Sequence, residues 1–312
     1  MRWFLVRAAS ALLTLAGALT LVFLALRLAP GDPADNVLGA DAPESAKREF
    51  RARLQLDAPL PVQYAGLWRD VFNGTLGRCM RIGGTERTVA AAIAEVLPAT
   101  AELALAAMGL ALLLALPLGL LAAVRQGGLA DAAVLGGAML VAAVPVFWLG
   151  PMLLYAFTVH WSFLPGPGEP LRGALPLVLP AGALALGLAA RLSRIVRAAI
   201  LDVLREDYVT AARARGLSEA RVLGRTVLRN ALIPIVTVAG LQLAALLTGA
   251  IVTEKVFARP GIGTLLLDGI ARRDYALVQG CVLVVTVVYV GTNLLLDALY
   301  VVLDPRLRRR AA

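Results

Sequence analysis

The stretch that decides the fold is residues 103–124, which read LALAAMGLALLLALPLGLLAAV without one charged side chain. A helix of this length rises about 33 Å, enough to cross the roughly 30 Å hydrocarbon layer of a bilayer. Five further charge-free runs resemble it: residues 8–26, 132–159, 174–190, 233–253 and 276–296. The pattern predicts an all-α polytopic membrane protein with six transmembrane helices, the fourth continuing as a helix through residues 192–204.

The composition supports this interpretation. The 312 residues are 59% hydrophobic and only 16% charged, whereas a soluble domain carries about 25% charged residues. This balance excludes an ordinary soluble enzyme and a disordered chain. The formal net charge of +9 would suit a nucleic-acid binder, but the clustering of apolar residues in long runs argues against nucleic acid as a partner.

The residue inventory excludes several kinds of site. His160 is the single histidine and is expected at a membrane interface, while Cys79 and Cys281 are far apart and in different sequence surroundings. We therefore predict no metal site and no catalytic site. Neither Lys47 nor Lys255 lies in a phosphate-binding loop, so no ATP site is expected in this chain. The runs also lack internal charges, which argues against an ion-coupled secondary transporter.

The distribution of arginine predicts the orientation. If the N-terminus is cytoplasmic, the inner segments hold sixteen basic and seven acidic residues, and the outer ones hold fourteen of each. An excess of arginine marks the cytoplasmic side, so both termini are expected inside. The first run is longer than a signal-peptide core and is expected to be an uncleaved anchor. The long loop after it would then lie outside, with short helices at residues 44–56 and 63–72, and Glu102 would lie at the outer edge of the second span.

Proline and aromatic residues interrupt the third run. Pro145 is followed closely by Phe147 and Trp148, and a proline inside a membrane helix kinks its axis. Together with Gln242 of the fifth run, these three residues are our candidates for a substrate path.

The loop at residues 191–232 has the most informative pattern. Residues 207–216 begin with acidic and end with basic side chains, as the helix dipole favours. Gly216 is placed to end this short helix and Ser218 to cap the next one. Ala211 and Ala212 lie in its middle, where small side chains let another protein surface come close. The flanking helices are rich in arginine, at positions 191, 194, 197, 221, 225 and 229.

Residues 208–218 (YVTAARARGLS) and 228–234 (LRNALIP) resemble the cytoplasmic coupling loop of ABC importer permeases. They are most similar to the first permease subunit of the dipeptide/oligopeptide/nickel branch. Thr210 stands where the wider family has Glu, and residues 226–229 (TVLR) replace its Ile-x-Leu-Pro end. Further similar segments follow in family order: LAPGDP at 28–33, GTLGR at 74–78, LPATAEL at 97–103, PVFWLG at 145–150, FLP at 163–165, EKVFARPGIG at 254–263 and DALYVVLDPR at 297–306.

The resemblance implies a type I ABC importer permease (MetI-like) fold in the bacterial cytoplasmic (inner) membrane. It implies an N-terminal transmembrane helix (1–28), an extracytoplasmic loop subdomain (29–98), a permease core (99–304) and a basic cytoplasmic tail (305–312). The implied partners are a second homologous permease, two cytoplasmic ATPases that bind ATP and Mg²⁺, and an extracytoplasmic substrate-binding protein. The implied ATPase contacts are Asp207, Tyr208, Thr210, Ala211, Ala212, Arg213, Arg215, Gly216 and Leu217.

Several alternatives stay open at this point. The expected cargo is a di- or oligopeptide, but the same scaffold could import nickel, a metal chelate, glutathione or an opine-like solute. A transporter or channel that works alone is a second class of function. The nine arginines of the loop could also serve only to set the topology.

Overall fold

The computed structural model describes residues 2–39, 41–79, 87–167 and 175–303, and in those ranges the chain is helical without a β-strand. The predicted basic tail, 305–312, lies outside the described residues. The helices, in order, are α1 (Arg2–Leu28), α2 (Pro33–Leu38), α3 (Glu44–Arg53), α4 (Leu60–Phe72), α5 (Val89–Val124), α6 (Leu129–Ala143), α7 (Val146–Leu154), α8 (Leu175–Leu204), α9 (Asp207–Ala214), α10 (Glu219–Arg221), α11 (Leu228–Gly249), α12 (Ile251–Val256), α13 (Ile262–Arg272) and α14 (Tyr275–Leu303). Two π-helical segments, Tyr155–His160 and Val222–Val227, continue α7 and precede α11.

Among the described residues, five continuous helices are long and apolar enough to cross a membrane. They correspond to α1, α5, α8, the segment Glu219–Leu247 and α14. The fifth predicted run, 233–253, is not continuous, because a turn at Ala250 separates α11 from α12. The predicted continuation of the fourth run is confirmed, because α8 extends to Leu204. Helix α5 starts at Val89, well before the predicted start, and its 36 residues span about 54 Å. Glu102 therefore lies inside helix α5. Because this helix is longer than the roughly 30 Å hydrocarbon layer, the place of Glu102 at the outer edge of the span stays a prediction.

The third run, predicted as a span over residues 132–159, is not one straight helix. It forms two helices, α6 and the segment Phe147–His160, that meet at an angle of 97°. Val144 is extended (ψ 121°), as expected for a residue that precedes a proline, and Pro145 follows with ψ 137°. The fifteen residues of α6 rise only about 22 Å, less than the hydrocarbon thickness. The count is therefore five spans among the described residues, or six if the bent pair makes one crossing.

The loop after α1 contains three short helices, of which two were predicted. The third, α2, begins where Asp32 accepts a hydrogen bond from the Ala34 N–H (2.8 Å) and Pro33 occupies the first turn. An aspartate followed by a proline is a known helix-start pattern. Asp32 also accepts from Arg51 Nε of α3 (2.7 Å). Burial raises the pKa of Asp32. The hydrogen bonds from Arg51 and from the Ala34 N–H, with the charges of Arg51 and Lys47, outweigh this effect, so the net pKa lies below its usual value.

The described residues form two compact units. The first unit comprises Met1–Thr100 with Pro260–Val290, and the second comprises Ala101–Arg259 with the chain from Gly291 onward. In the first unit, one buried apolar cluster contains both Cys79 and Cys281. The fold therefore brings together two cysteines that are far apart and in different surroundings in the sequence.

The second unit contains two main apolar clusters. One joins α5, α8 and α11 through small and branched side chains, including Leu103, Ala111, Leu192 and Ala239. The other joins the ends of α5 and α8 to α9 and the start of α11. This second cluster positions the loop that the sequence singled out.

Candidate functional site

The loop between α8 and α11 is built around the eight-residue helix α9. Gly216 has φ +78°, a left-handed conformation that glycine adopts without strain. Its N–H donates to the Arg213 carbonyl (2.9 Å), and the Leu217 N–H donates to the Ala212 carbonyl (3.4 Å). These two bonds form a Schellman motif. The prediction that Gly216 ends the helix is confirmed.

Helix α9 has a buried face and an exposed face. Val209 is fully buried and Ala212 is buried, and both belong to the cluster that includes Val196, Ile200 and Val227 of the neighbouring segments. Leu217 packs against the same cluster after the turn. The other implied contact residues are exposed: Asp207, Tyr208, Thr210, Ala211, Arg213, Arg215 and Gly216.

The two central alanines therefore have different surroundings. The sequence interpretation assigned both to the approach of another protein, but Ala212 faces the chain's own core and Ala211 is exposed. Positions 209 and 212 lie one turn apart and so share one face of the helix. Ala214 is also exposed, so small side chains at 211 and 214 still mark the outer face.

An ion pair closes the turn after α9. Arg213 Nε donates to Glu219 Oε1 at 2.8 Å, and the Nη2 donates to Oε2 at 3.4 Å. Both side chains are exposed, so the pair contributes no more than about 1 kcal/mol. Ser218 occupies the predicted N-cap position of α10, but its side chain makes no capping hydrogen bond.

A second ion pair fixes α8 to the start of α6. Arg197 donates from Nε to Asp131 Oδ1 (2.6 Å) and from Nη2 to Oδ2 (2.7 Å). Asp131 is 4% exposed and also accepts from the Gly127 N–H at 2.9 Å. Arg197 is thus paired, whereas Arg191 and Arg194 on the same helix are exposed. The sequence showed the three-residue spacing but could not show which arginine meets Asp131.

The four substrate-path candidates lie on two helices. Pro145 is the N-cap residue of α7, and Phe147 and Trp148 are each 59% exposed. Gln242 is half-buried in α11. Helix α7 packs on α8 and α12, and α11 packs on α8, so the two groups share α8 as a neighbour.

A third ion pair, within the second unit, involves Glu102, to which the sequence analysis gave no functional role. Glu102 of α5 accepts from the guanidinium of Arg259, whose side chain is 4% exposed. Glu254, in the preceding short helix, is fully buried. The sequence marked Glu102 only as an interfacial residue, because its partner is 157 residues away.

These features define a class: a polytopic helical membrane protein with a short, core-anchored helix exposed in its largest arginine-rich loop. Residues 115–309 match the family described as binding-protein-dependent transport system inner membrane component, and the chain belongs to this family. It is a permease component of an ABC importer, of the dipeptide/oligopeptide branch, in the inner membrane.

Two curated relatives are similar over nearly the whole chain. The di/tripeptide transport system permease protein of Pseudomonas aeruginosa (strain UCBPP-PA14) is 38% identical over 95% of this chain and 96% of its own. The dipeptide transport system permease protein of Escherichia coli (strain K12) is 37% identical with the same coverage. A crystal structure described as an amino acid ABC transporter with histidines matches with a TM-score of 0.50, at 16% identity over 69% of this chain and 94% of that one. That structural match supports the fold.

Proposed function

We propose that this chain forms part of the translocation pathway for di- or oligopeptides, and that α9 transmits the closure of a partner ATPase to the membrane helices. The printed names of the relatives support the peptide cargo. The observation that carries the coupling role is the division of α9 into an exposed face and a face anchored by Val209 and Ala212.

The proposed transmission follows from packing. The cluster beneath α9 includes the cytoplasmic ends of α5 and α8 and the start of α11. Because protein interiors are densely packed, a force on the outer face of α9 must displace these helices rather than compress the cluster. An ATPase that grips the exposed residues would therefore move three apolar helices at once.

The energy for transport would come from partners. We propose that two ATPase subunits bind ATP and Mg²⁺, that a second homologous permease completes the pathway, and that an extracytoplasmic binding protein delivers the peptide. This arrangement has both termini inside and the bent pair α6–α7 as one crossing. Nickel or a metal chelate, glutathione and other small solutes are alternative cargoes on the same scaffold.

The test replaces the outward-facing alanine with a bulky side chain. In Ala211→Trp, we expect loss of ATPase copurification and of dipeptide uptake, with Ala211→Ser close to wild type. Leu129→Trp is the control, since Leu129 is 91% exposed at the start of α6 and lies outside the loop between α8 and α11. Normal ATPase binding and uptake in Ala211→Trp would refute the docking role of this face. Uptake by the permease without any ATPase would instead favour a stand-alone transporter.

A further inference from the structure

A polar pocket lies within the first unit. Its volume is about 130 Å³, and it is enclosed by the end of α1, the turn after α3, α4 and the start of α14. The ionisable groups in its wall include two cations and two anions: Arg27, Arg78, Asp70 and Asp274. The sequence interpretation gave none of these residues a role.

Hydrogen bonds hold one wall of this pocket in place. Gln63 Nε2 donates to the carbonyls of Leu56 (2.9 Å) and Ala58 (2.8 Å), and its Oε1 accepts from Arg27 Nε (2.8 Å). Arg27 also stacks over the Phe23 ring, 3.6 Å from its centroid. The guanidinium is therefore fixed in position at the pocket rather than free to rotate into solvent.

Gln279 contributes a second, independent observation. It is 8% exposed, and its Nε2 has no hydrogen-bond partner among the residues that the structure describes. The side chain lines both this pocket and an adjoining cavity of about 40 Å³. A buried polar group without a partner is destabilising, so an unsatisfied amide in a pocket wall indicates a ligand that supplies the missing bond.

We propose that this pocket binds a small zwitterion through its carboxylate and its ammonium group. Gln279 and the arginines offer N–H donors to the carboxylate, and Asp70 offers an acceptor to the ammonium. The balanced charge of the wall suits a ligand that carries both signs and disfavours one that carries a single sign. A free amino acid and a short peptide share this chemistry. The choice of a peptide as ligand rests on the proposed function, whereas the pocket itself does not depend on ATPase docking.

The test measures ligand binding to the purified full-length protein in lipid nanodiscs, by saturation-transfer NMR. The probes are glycine and glycylglycine, with acetate and ethylamine as single-charge controls. We expect at least one of the zwitterions to bind and both single-charge probes to fail. Binding of glycylglycine alone identifies the peptide as the ligand, and binding of glycine identifies the free amino acid. Failure of both zwitterions overturns the proposal, and so does binding of acetate or ethylamine as strong as that of the zwitterions.

Variants then locate the site. Gln279→Leu should weaken binding by about tenfold or more through loss of a donor to a charged group. It should keep its thermal stability, because an apolar side chain replaces an unsatisfied amide. Gln126→Leu makes the same change at an exposed turn and should bind normally. Asp70→Asn, which preserves volume, should also weaken binding. Unchanged affinity in both pocket variants would overturn the assignment, whereas loss of uptake with intact binding would implicate the ATPase coupling instead.

Discussion

Replacing Val209 with alanine should separate the anchoring of α9 from its exposed surface. Val209 is fully buried in the cluster beneath the helix. Removal of two methyl groups forfeits about 1.6 kcal/mol of transfer free energy at ~0.8 kcal/mol per carbon. The residual cavity raises the total to roughly 2–3 kcal/mol. We therefore expect α9 to stay exposed to an ATPase but to be held less firmly to α8 and α11.

The assay is the amount of dipeptide transported per ATP hydrolysed in proteoliposomes that contain the assembled importer. In Val209→Ala, we expect the ATPases to copurify as with wild type, while the transport ratio falls. Val124→Ala is the matched control, because Val124 is 50% exposed at the end of α5 and the same two methyl groups are removed. An unchanged transport ratio, together with the expected loss of stability, would show that anchoring by Val209 does not carry the coupling.

Three further predictions concern stability and reactivity. Asp131→Ala should destabilise the fold in a thermal-unfolding assay, because it leaves Arg197 without its carboxylate partner. Asp131→Leu combined with Arg197→Met should cost much less stability, and an equal loss in both variants would contradict this account. The pKa of Asp32 is lowered in the folded state. Its pairing with Arg51 should therefore stabilise the fold at pH values above the unfolded-state pKa of about 3.9. This stabilisation should be lost as the pH falls through the pKa that Asp32 has in the folded state. Tryptophan fluorescence measured against pH should follow this loss, and Arg51→Gln should flatten it. Burial raises the pKa of the Cys79 thiol to about 11. Iodoacetamide at neutral pH should therefore alkylate Cys79 about two orders of magnitude more slowly than an ordinary cysteine. Mass spectrometry can measure this difference, and denaturation should abolish it.

Much of the helical architecture could be predicted because bilayer thickness imposes a length on each apolar run. Four of the six runs correspond to single continuous helices for that reason, namely α1, α5, α8 and α14. The end of α9 could also be predicted, since a left-handed residue is required there and Gly216 supplies it. These are local constraints, and a single sequence contains them in full.

Long-range partners could not be predicted in the same way. The sequence shows Asp131 and Arg197, or Glu102 and Arg259, as separate charges, and only the packing of distant helices pairs them. The same reason explains why the sequence could not show that Cys79 and Cys281 share one cluster. The bend at Pro145 was foreseen as a kink, but its angle of 97° depends on what α6 and α7 pack against.

The small size of α9 explains why its two faces must work together. An eight-residue helix is too short to be stable by itself in water, since nucleation costs more than so few hydrogen bonds return. Its stability must therefore come from Val209 and Ala212 in the cluster and from the Schellman turn at Gly216. Because α9 is helical only while Val209 and Ala212 are buried in the cluster, a displacement of α9 must also move the cluster. This dependence is the property that a lever between an ATPase and the membrane helices requires, and the exposed face alone could not provide it.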